Sequence, residues 1–310
     1  MNKKVLKKTG SVLYSLFRAA FLIALAYVVL FPIIYAISSS FLSEGQINDP
    51  SIVWLPKYIS LTSYSKAWEY MNYGTAFRYT FFTVVLSTLL QMVSCSLAGY
   101  GFARFKFFGR GFWFGLVILT MIVPLQLLVV QQYSIFHDFS FWGVKSVIGF
   151  LFKTSSSQNL LDSSFTYLLP AVLGQGIQSG LMIYIFRQFF RNLPKELEEA
   201  AYIDGCNTFK TFYRIVIPSS LVAFLVVFVL SVVWYWNEDL TASMFFDQRQ
   251  LLSLALARLQ GQLSVDGMDL SSIRNVLMAG VILFITPMTV MYAVLQRFFI
   301  QGIERSGLVG

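Results

Sequence analysis

The residues that could take part in chemistry are few in this chain, and they are scattered. Cys95 lies in an apolar run, Cys206 lies in a polar segment, and His137 is the single histidine. One histidine and two separated cysteines cannot supply a set of metal ligands, and no disulfide is expected between them. No Gly-Lys pair occurs, so the chain has no phosphate-binding loop of the Walker type. We therefore predict no catalytic residue, no metal and no cofactor in this chain.

The longest polar segment on the side of the chain that is rich in Lys and Arg, residues 187–218, has a spacing that favours docking over catalysis. Pro194 suits the first turn of a short helix, with Asn192 or Leu193 as its cap. Acidic residues follow in the first turns, where the helix dipole favours negative charge. The segment contains neither a nucleophile–base pair nor a metal cluster, so its predicted role is to bind a partner.

The spacing also predicts that this segment bends. Gly205 can end the first helix in a left-handed conformation, and Asn207 or Thr208 can cap a second helix. Ala200 and Ala201 leave a smooth surface that another backbone can approach closely. We call the predicted rigid element at residues 194–205 the knuckle. From physical chemistry alone, a surface helix without a partner is the alternative.

The rest of the chain is predicted to be an all-α polytopic membrane protein. It is 56% hydrophobic and 12% charged, whereas a soluble domain carries about 25% charged residues. A helix needs roughly 20 apolar residues to cross a bilayer. Six stretches of at least 22 residues carry no Asp, Glu, Lys, Arg or His, which predicts six transmembrane helices: 19–43, 79–103, 111–136, 163–186, 215–237 and 275–296.

The loops between these stretches predict the orientation. The loops on the side that holds both termini contain 15 Lys and Arg residues, and those on the other side contain 8, matched by ten acidic residues. The positive-inside rule places the first side in the cytoplasm, and with it the knuckle. The excess of Lys and Arg in the cytoplasmic loops accounts for the net charge of +8, so this charge does not indicate a nucleic-acid binder. We therefore predict that the chain lies in a lipid bilayer and binds no nucleic acid.

The apolar stretches lack ionisable acids and bases other than tyrosine and cysteine, which argues against an ion-coupled secondary transporter and against a membrane-bound enzyme. Their uncharged polar groups suit a passage for an uncharged, hydroxylated solute, although each could also stabilise helix packing by about 0.6 kcal/mol. The predicted passage residues are Gln126, Gln175, Gln178, Trp236 and Asn237; Gln91, Gln131 and Gln132 are further polar groups at this depth.

The knuckle also carries a family resemblance. Glu199-Ala200-Ala201 is followed after three residues by Gly205, and after nine more by Ile215-Val216-Ile217-Pro218. This resembles the E-A-A, G, I-x-L-P signature of ABC importer permeases, with Ile217 in place of leucine. Six further segments resemble the carbohydrate-uptake, maltose-type branch of this family: Leu193 to Leu197, Asp204-Gly205, Tyr100 to Arg104, Met121 to Pro124, Trp236-Asn237 and Gln296 to Gly302. The resemblance covers roughly residues 75–310.

The resemblance implies a type I ABC importer permease fold in the plasma membrane of a bacterium or archaeon. It implies a permease domain at residues 76–310, preceded at residues 1–75 by a tail, a first helix and an outer loop. A second permease subunit, two ATPase subunits and an extracytoplasmic solute-binding protein are the implied partners, and ATP is hydrolysed by the ATPase subunits. The knuckle would be the coupling helix, with an ATPase-coupling site of Glu199, Ala200, Ala201, Asp204, Gly205, Ile215 and Pro218.

Within that resemblance, Glu199 would meet a basic residue of the ATPase, and the two alanines would permit a close fit. A sugar is the expected solute. An importer permease for another small solute is the alternative, and a secondary transporter is a further one.

Overall fold

The computed structural model describes residues 3–43, 45–46, 56–138 and 159–307. Within these ranges the chain forms helices and no strands, which confirms the predicted all-α class. A 3-10 turn at Leu125–Leu127 precedes α5, and a π-helical turn at Phe212–Val216 joins α9 to α10. The α-helices are, in chain order, α1 Lys3–Ser40, α2 Thr62–Tyr70, α3 Tyr73–Arg104, α4 Arg110–Ile122, α5 Val129–His137, α6 Phe165–Val172, α7 Ser179–Asn192, α8 Glu196–Ile203, α9 Thr208–Thr211, α10 Ile217–Ser219, α11 Leu221–Asn237, α12 Leu240–Phe245, α13 Leu252–Val265 and α14 Leu270–Gly307.

Three of the described helices are long and apolar enough to cross a bilayer: Tyr14–Ser40 within α1, the whole of α3, and Leu270–Phe298 within α14. A fourth span results if Thr208–Ser219 and α11, which meet at a bend of 79°, are counted together. The predicted count of six transmembrane helices is therefore not confirmed.

Two of the predicted spans are interrupted. The stretch 111–136 breaks at Pro124, after α4, because proline lacks the N–H group that a helix needs. The stretch 163–186 breaks at residues 173–178, between α6 and α7. Neither break carries a charged residue, so charge gaps alone could not reveal them.

The chain divides into two compact units, residues 1–71 with 258–285 and residues 72–257 with 286–310. In the first unit, residues 14–35 of α1 expose apolar side chains over most of their surface, as a helix in contact with lipid or a partner would. Also in the first unit, the hydroxyl of Tyr70 at the end of α2 donates to a carboxylate oxygen of Asp266 at 2.6 Å. The predicted division at residue 75 stays a prediction.

In the second unit, α3 is the central helix and packs against α6, α7 and α11. Small residues such as Ser87, Ser96 and Gly99 are buried along it, and small side chains let helix backbones approach closely. Next to Gly99, an apolar cluster joins α3, α7 and the π-helical turn, and it includes Tyr100, Phe186, Phe190 and Phe212. This packing provides the fixed base from which the knuckle projects.

Candidate functional site

The knuckle contains α8, a helix of two turns that ends at a glycine. Gly205 has a φ of +78°. The N–H of Cys206 donates to the carbonyl of Ala201 at 2.9 Å, and the N–H of Gly205 donates to the carbonyl of Tyr202 at 3.0 Å. These two bonds form a Schellman motif, whose left-handed residue is least strained as glycine. The prediction that Gly205 ends the helix in this conformation is confirmed.

The segment bends after Gly205, and we call α8 its first arm and residues 207–216 its second arm. The second arm begins at Asn207, whose side-chain oxygen accepts a hydrogen bond from the N–H of Lys210 at 2.8 Å. Of the two predicted caps, Asn207 is the one that the structure uses. The predicted cap of the first arm is wrong: α7 continues to Asn192, so neither Asn192 nor Leu193 caps α8. Helix α8 begins at Glu196, with Lys195 at its cap position and no side-chain cap bond.

The outward face of the knuckle is acidic and apolar. Glu199, Ala200, Asp204 and Gly205 are all exposed. Ile203, which the sequence reasoning missed, is 87% exposed beside them. A large aliphatic side chain this exposed in a folded protein indicates a surface that a partner covers.

The remaining predicted coupling residues lie differently. Ala201 is 5% exposed and lies on the inner side of α8, so it does not form the outward surface with Ala200. Ile215 is half-buried and Pro218 is exposed. On the second arm, two aromatic residues that the sequence reasoning left out of the site, Phe209 and Tyr213, are 72% and 67% exposed.

A buried ion pair joins the inner side of the knuckle to α3. Nε of Arg104 donates to Oε1 of Glu198 at 2.6 Å, with less than a tenth of either side chain exposed. The hydroxyl of Tyr100 donates to Oε2 at 3.0 Å, so both carboxylate oxygens have a partner. A terminal nitrogen of Arg104 donates to the carbonyl of Leu193 at 2.8 Å.

The sequence reasoning grouped Glu198 with the other acids of the first turns and missed this pairing. Two signals were present: Arg104 ends an apolar run, and Glu198 stands next to a second glutamate, Glu199. Their separation of 94 residues along the chain left the contact invisible to local patterns.

The second unit also contains a partly open cavity of about 800 Å³. Aromatic and aliphatic side chains make up most of its wall, with Trp113, Tyr167 and Phe245 among them. None of the described residues that line it is charged. The uncharged polar side chains of the lining are Thr120, Gln132, Thr166, Tyr167, Gln175, Gln178, Ser179, Tyr235 and Thr241.

The break between α6 and α7 places two of these glutamines at the cavity. Gln178 itself has a φ of +55°. Nε2 of Gln91 donates to the carbonyl of Ile177 at 2.8 Å, and the N–H of Ile177 points to the hydroxyl oxygen of Tyr235 at 3.4 Å. Side chains of α3 and α11 thus replace the helical hydrogen bonds that the break removes. Gln91, which the sequence analysis named only as a further polar group at this depth, therefore holds the break in place.

Two of the five predicted passage residues, Gln175 and Gln178, line the cavity, and the other three do not. Gln126 is exposed in the 3-10 turn after Pro124. Trp236 is 1% exposed, with its ring 6.2 Å from that of Phe77. Asn237 is exposed, and its amide donates to the carbonyl of Val233 at 2.8 Å.

Comparison with known proteins places both features in one family. Residues 95–305 match the family described as binding-protein-dependent transport system inner membrane component. The match includes the knuckle, the pair of Arg104 and Glu198, and every residue that lines the cavity.

The curated relatives match over nearly their whole length. The arabinooligosaccharides transport system permease protein AraQ of Bacillus subtilis (strain 168) is 28% identical over 310 residues, 96% of this chain and 98% of that protein. The sn-glycerol-3-phosphate transport system permease protein UgpE of Yersinia pestis bv. Antiqua (strain Antiqua) is 25% identical over 284 residues, 90% of this chain and 92% of that protein.

Among solved structures, one chain comes from a bacterial ABC transporter involved in the import of the acidic polysaccharide alginate. Its TM-score is 0.71, over 94% of this chain and 98% of that chain, at 19% sequence identity. At that identity the likeness concerns the fold, and it confirms the predicted ABC importer fold.

Proposed function

The chain belongs to the family of binding-protein-dependent transport system inner membrane components, and we propose that it carries a sugar and is driven through the knuckle by a separate ATPase. The observation that carries this proposal is the outward face of the knuckle. On this face Glu199, Asp204 and Ile203 are exposed to solvent. The helix that carries them ends at Gly205 and is held to α3 by the buried carboxylate of Glu198.

That face suits a protein partner with an apolar groove and a basic rim. Ile203 and Phe209 supply exposed apolar area, and Glu199 supplies a charge that steers and orients the contact. The neighbouring cytoplasmic loops are rich in Lys and Arg, so an acidic outward face stands out against them. An ATPase subunit is the partner that supplies energy to a chain with no nucleotide-binding loop of its own.

The cavity supports a sugar as the solute. Its volume of about 800 Å³ lies within the usual range of roughly 300–1,000 Å³ for a ligand site. Aromatic rings can stack on sugar rings, and the uncharged amides and hydroxyls can exchange hydrogen bonds with sugar hydroxyls. The name of the relative AraQ gives arabinooligosaccharides as its solute, and that of UgpE gives sn-glycerol-3-phosphate. A neutral oligosaccharide fits the uncharged lining better than a phosphate ester does.

In the proposed assembly this chain lines half of a passage and a second permease subunit lines the other half. Two ATPase subunits bind on the cytoplasmic side, where we place the knuckle and both termini, and a solute-binding protein docks on the other side. Closure of the ATPase pair on ATP displaces the knuckle and shifts the permease between two conformations. The partner can do so only through its differential affinity for the two states.

Reversal of one charge tests the docking. The variant Glu199→Lys, in the complex purified through a tag on this chain, is expected to lose the ATPase subunits and with them ATP-dependent sugar uptake by cells. Glu69→Lys is the matched control for co-purification of the ATPase subunits, because it makes the same change at an exposed residue of the predicted outer side. Retention of both the ATPase subunits and normal uptake by Glu199→Lys would sink the proposal.

The alternatives have their own test. Uptake by this chain in proteoliposomes without an ATPase would favour a secondary transporter. Uptake of glycerol phosphate in preference to every neutral oligosaccharide would favour an importer for another small solute.

A further inference from the structure

The carboxylate of Glu198 has a geometry that an ordinary surface residue of a docking helix would not need. Each of its oxygens is bound from α3, one by the guanidinium of Arg104 and one by the hydroxyl of Tyr100. Because these two donors lie one helical turn apart, the carboxylate is fixed in both position and direction. Neighbouring Glu199 is exposed, so adjacent residues of α8 face a partner and the protein interior.

The residues that hold Glu198 are themselves held firmly. The ring of Tyr100 lies 4.9 Å from that of Phe212 and 5.9 Å from that of Phe190, between centroids. Phe190 belongs to α7, and Phe212 opens the π-helical turn of the second arm. Tyr100 therefore touches both neighbours of the knuckle while it binds the knuckle itself.

Stability alone does not account for a buried ion pair here. Replacing such a pair by apolar side chains of similar volume is often neutral or stabilising, because desolvation of the two charges offsets their attraction. What a buried pair with both oxygens bound does provide is a single geometry, since any displacement leaves a charge without its partner.

We infer that Glu198 and Arg104 are positioning residues that make α8 and the cytoplasmic end of α3 move as one body, so that a push on the knuckle reaches the cavity wall. This inference rests on the proposed function. The route is short: α3 also carries Gln91, which holds the break that presents Gln175 and Gln178 to the cavity.

The experiment reads the cavity and needs no knowledge of the solute. A cysteine replaces a cavity glutamine, Gln175→Cys, in a Cys206→Ser background, and its rate of reaction with a soluble maleimide is measured in the purified complex. This double variant, Gln175→Cys with Cys206→Ser, is the parent for the comparisons below. A non-hydrolysable ATP analogue is expected to change its labelling rate by about tenfold, within the range of roughly 5–150-fold typical of coupling between sites.

The test variant is Glu198→Gln in this parent. Because the outward face is unchanged, the ATPase subunits are expected to co-purify in the same amount. The change in labelling rate on addition of nucleotide should fall below about twofold, because the coupling between the ATPase and the cavity is lost. Glu196→Gln, the same change at an exposed residue of α8, is the matched control and should keep the full response.

Two results would overturn the inference: a full nucleotide response in Glu198→Gln, or equal losses in Glu198→Gln and Glu196→Gln. If Glu198→Gln does not assemble with the ATPase subunits, Tyr100→Phe takes its place as the test variant. This change removes only the hydrogen bond to Oε2, so it should reduce the nucleotide response of the labelling rate by about threefold, a partial loss of the same coupling. A full response in Tyr100→Phe would then overturn the inference. A parent that binds no ATPase or shows no nucleotide response would overturn the proposed function as well.

Discussion

A Cβ atom at Gly99 would lie 2.7 Å from the Cβ of Phe186 and 3.1 Å from the backbone nitrogen of Arg187. The backbone of α3 therefore lies directly against α7, with no room for a side chain at this position. This contact stands one residue before Tyr100, at the base of the knuckle.

Gly99→Ala is accordingly expected to destabilise the protein by about 1–3 kcal/mol, the usual effect of overpacking a close contact. Thermal unfolding of the detergent-solubilised protein should show a lower Tm. Gly101→Ala is the matched control on the same helix, because a Cβ atom there meets nothing within 4 Å. Equal Tm values for the two variants would contradict the packing described here.

Gly205→Ala should weaken docking of the ATPase without any clash. No atom lies within 4 Å of the added Cβ, but the φ of +78° strains a residue with a side chain. The left-handed conformation costs such a residue about 1–2 kcal/mol, so the end of α8 should rearrange. Less ATPase should co-purify with Gly205→Ala than with Gly205→Asn, because asparagine tolerates this conformation better. No difference between the two variants would count against the left-handed turn.

Gln91→Leu should disturb the cavity without touching it. Gln91 is fully buried, and its amide is the hydrogen-bond donor to the carbonyl of Ile177. Loss of that bond removes the side-chain donor from the half-buried Ile177, at a cost of about 1–3 kcal/mol. A lower Tm and a raised apparent KM for uptake are the expected results. Gln126→Leu makes the same change at an exposed residue outside the cavity lining, and should alter neither.

Asp162→Ala should loosen the segment that follows α12. The Asp162 carboxylate accepts hydrogen bonds from the N–H groups of Asp247 and Arg249, at 3.2 Å and 2.8 Å. Their loss should increase amide hydrogen exchange at residues 247–249 by roughly fivefold, equivalent to about 1 kcal/mol of local stability. Asp162→Asn keeps an acceptor oxygen and should exchange nearly as the parent does. Faster exchange in both variants would mean that the negative charge matters more than the acceptor.

The knuckle was the part of the site that the sequence predicted best, because its signals are local. Gly205 and Asn207 set the backbone through their own conformational preferences and side-chain bonds, within four residues of where they stand. The start of α8 was misplaced because α7 continues to Asn192, which was one of the predicted caps. Nothing in the composition of residues 187–192 marks the end of a helix before that point.

The parts that the sequence missed depend on distant neighbours. Glu198 and Glu199 are the same residue type side by side, and their sequence does not show that Glu198 alone is bound by Arg104 and Tyr100 of α3. Trp236 was placed near the passage by its depth, but depth along a helix does not say which side of the helix a residue occupies. The break at residues 173–178 contains two glycines and two glutamines but no charged residue, so a search for charges passed over it.

The uncharged wall of the cavity has an electrical consequence. Moving one elementary charge across a membrane potential of 100 mV involves about 2.3 kcal/mol. The described residues that line the cavity carry no ionised side chain, so their rearrangement displaces no charge through that field, and a neutral solute adds none. The membrane potential is therefore expected neither to assist nor to oppose passage of a neutral solute along this lining.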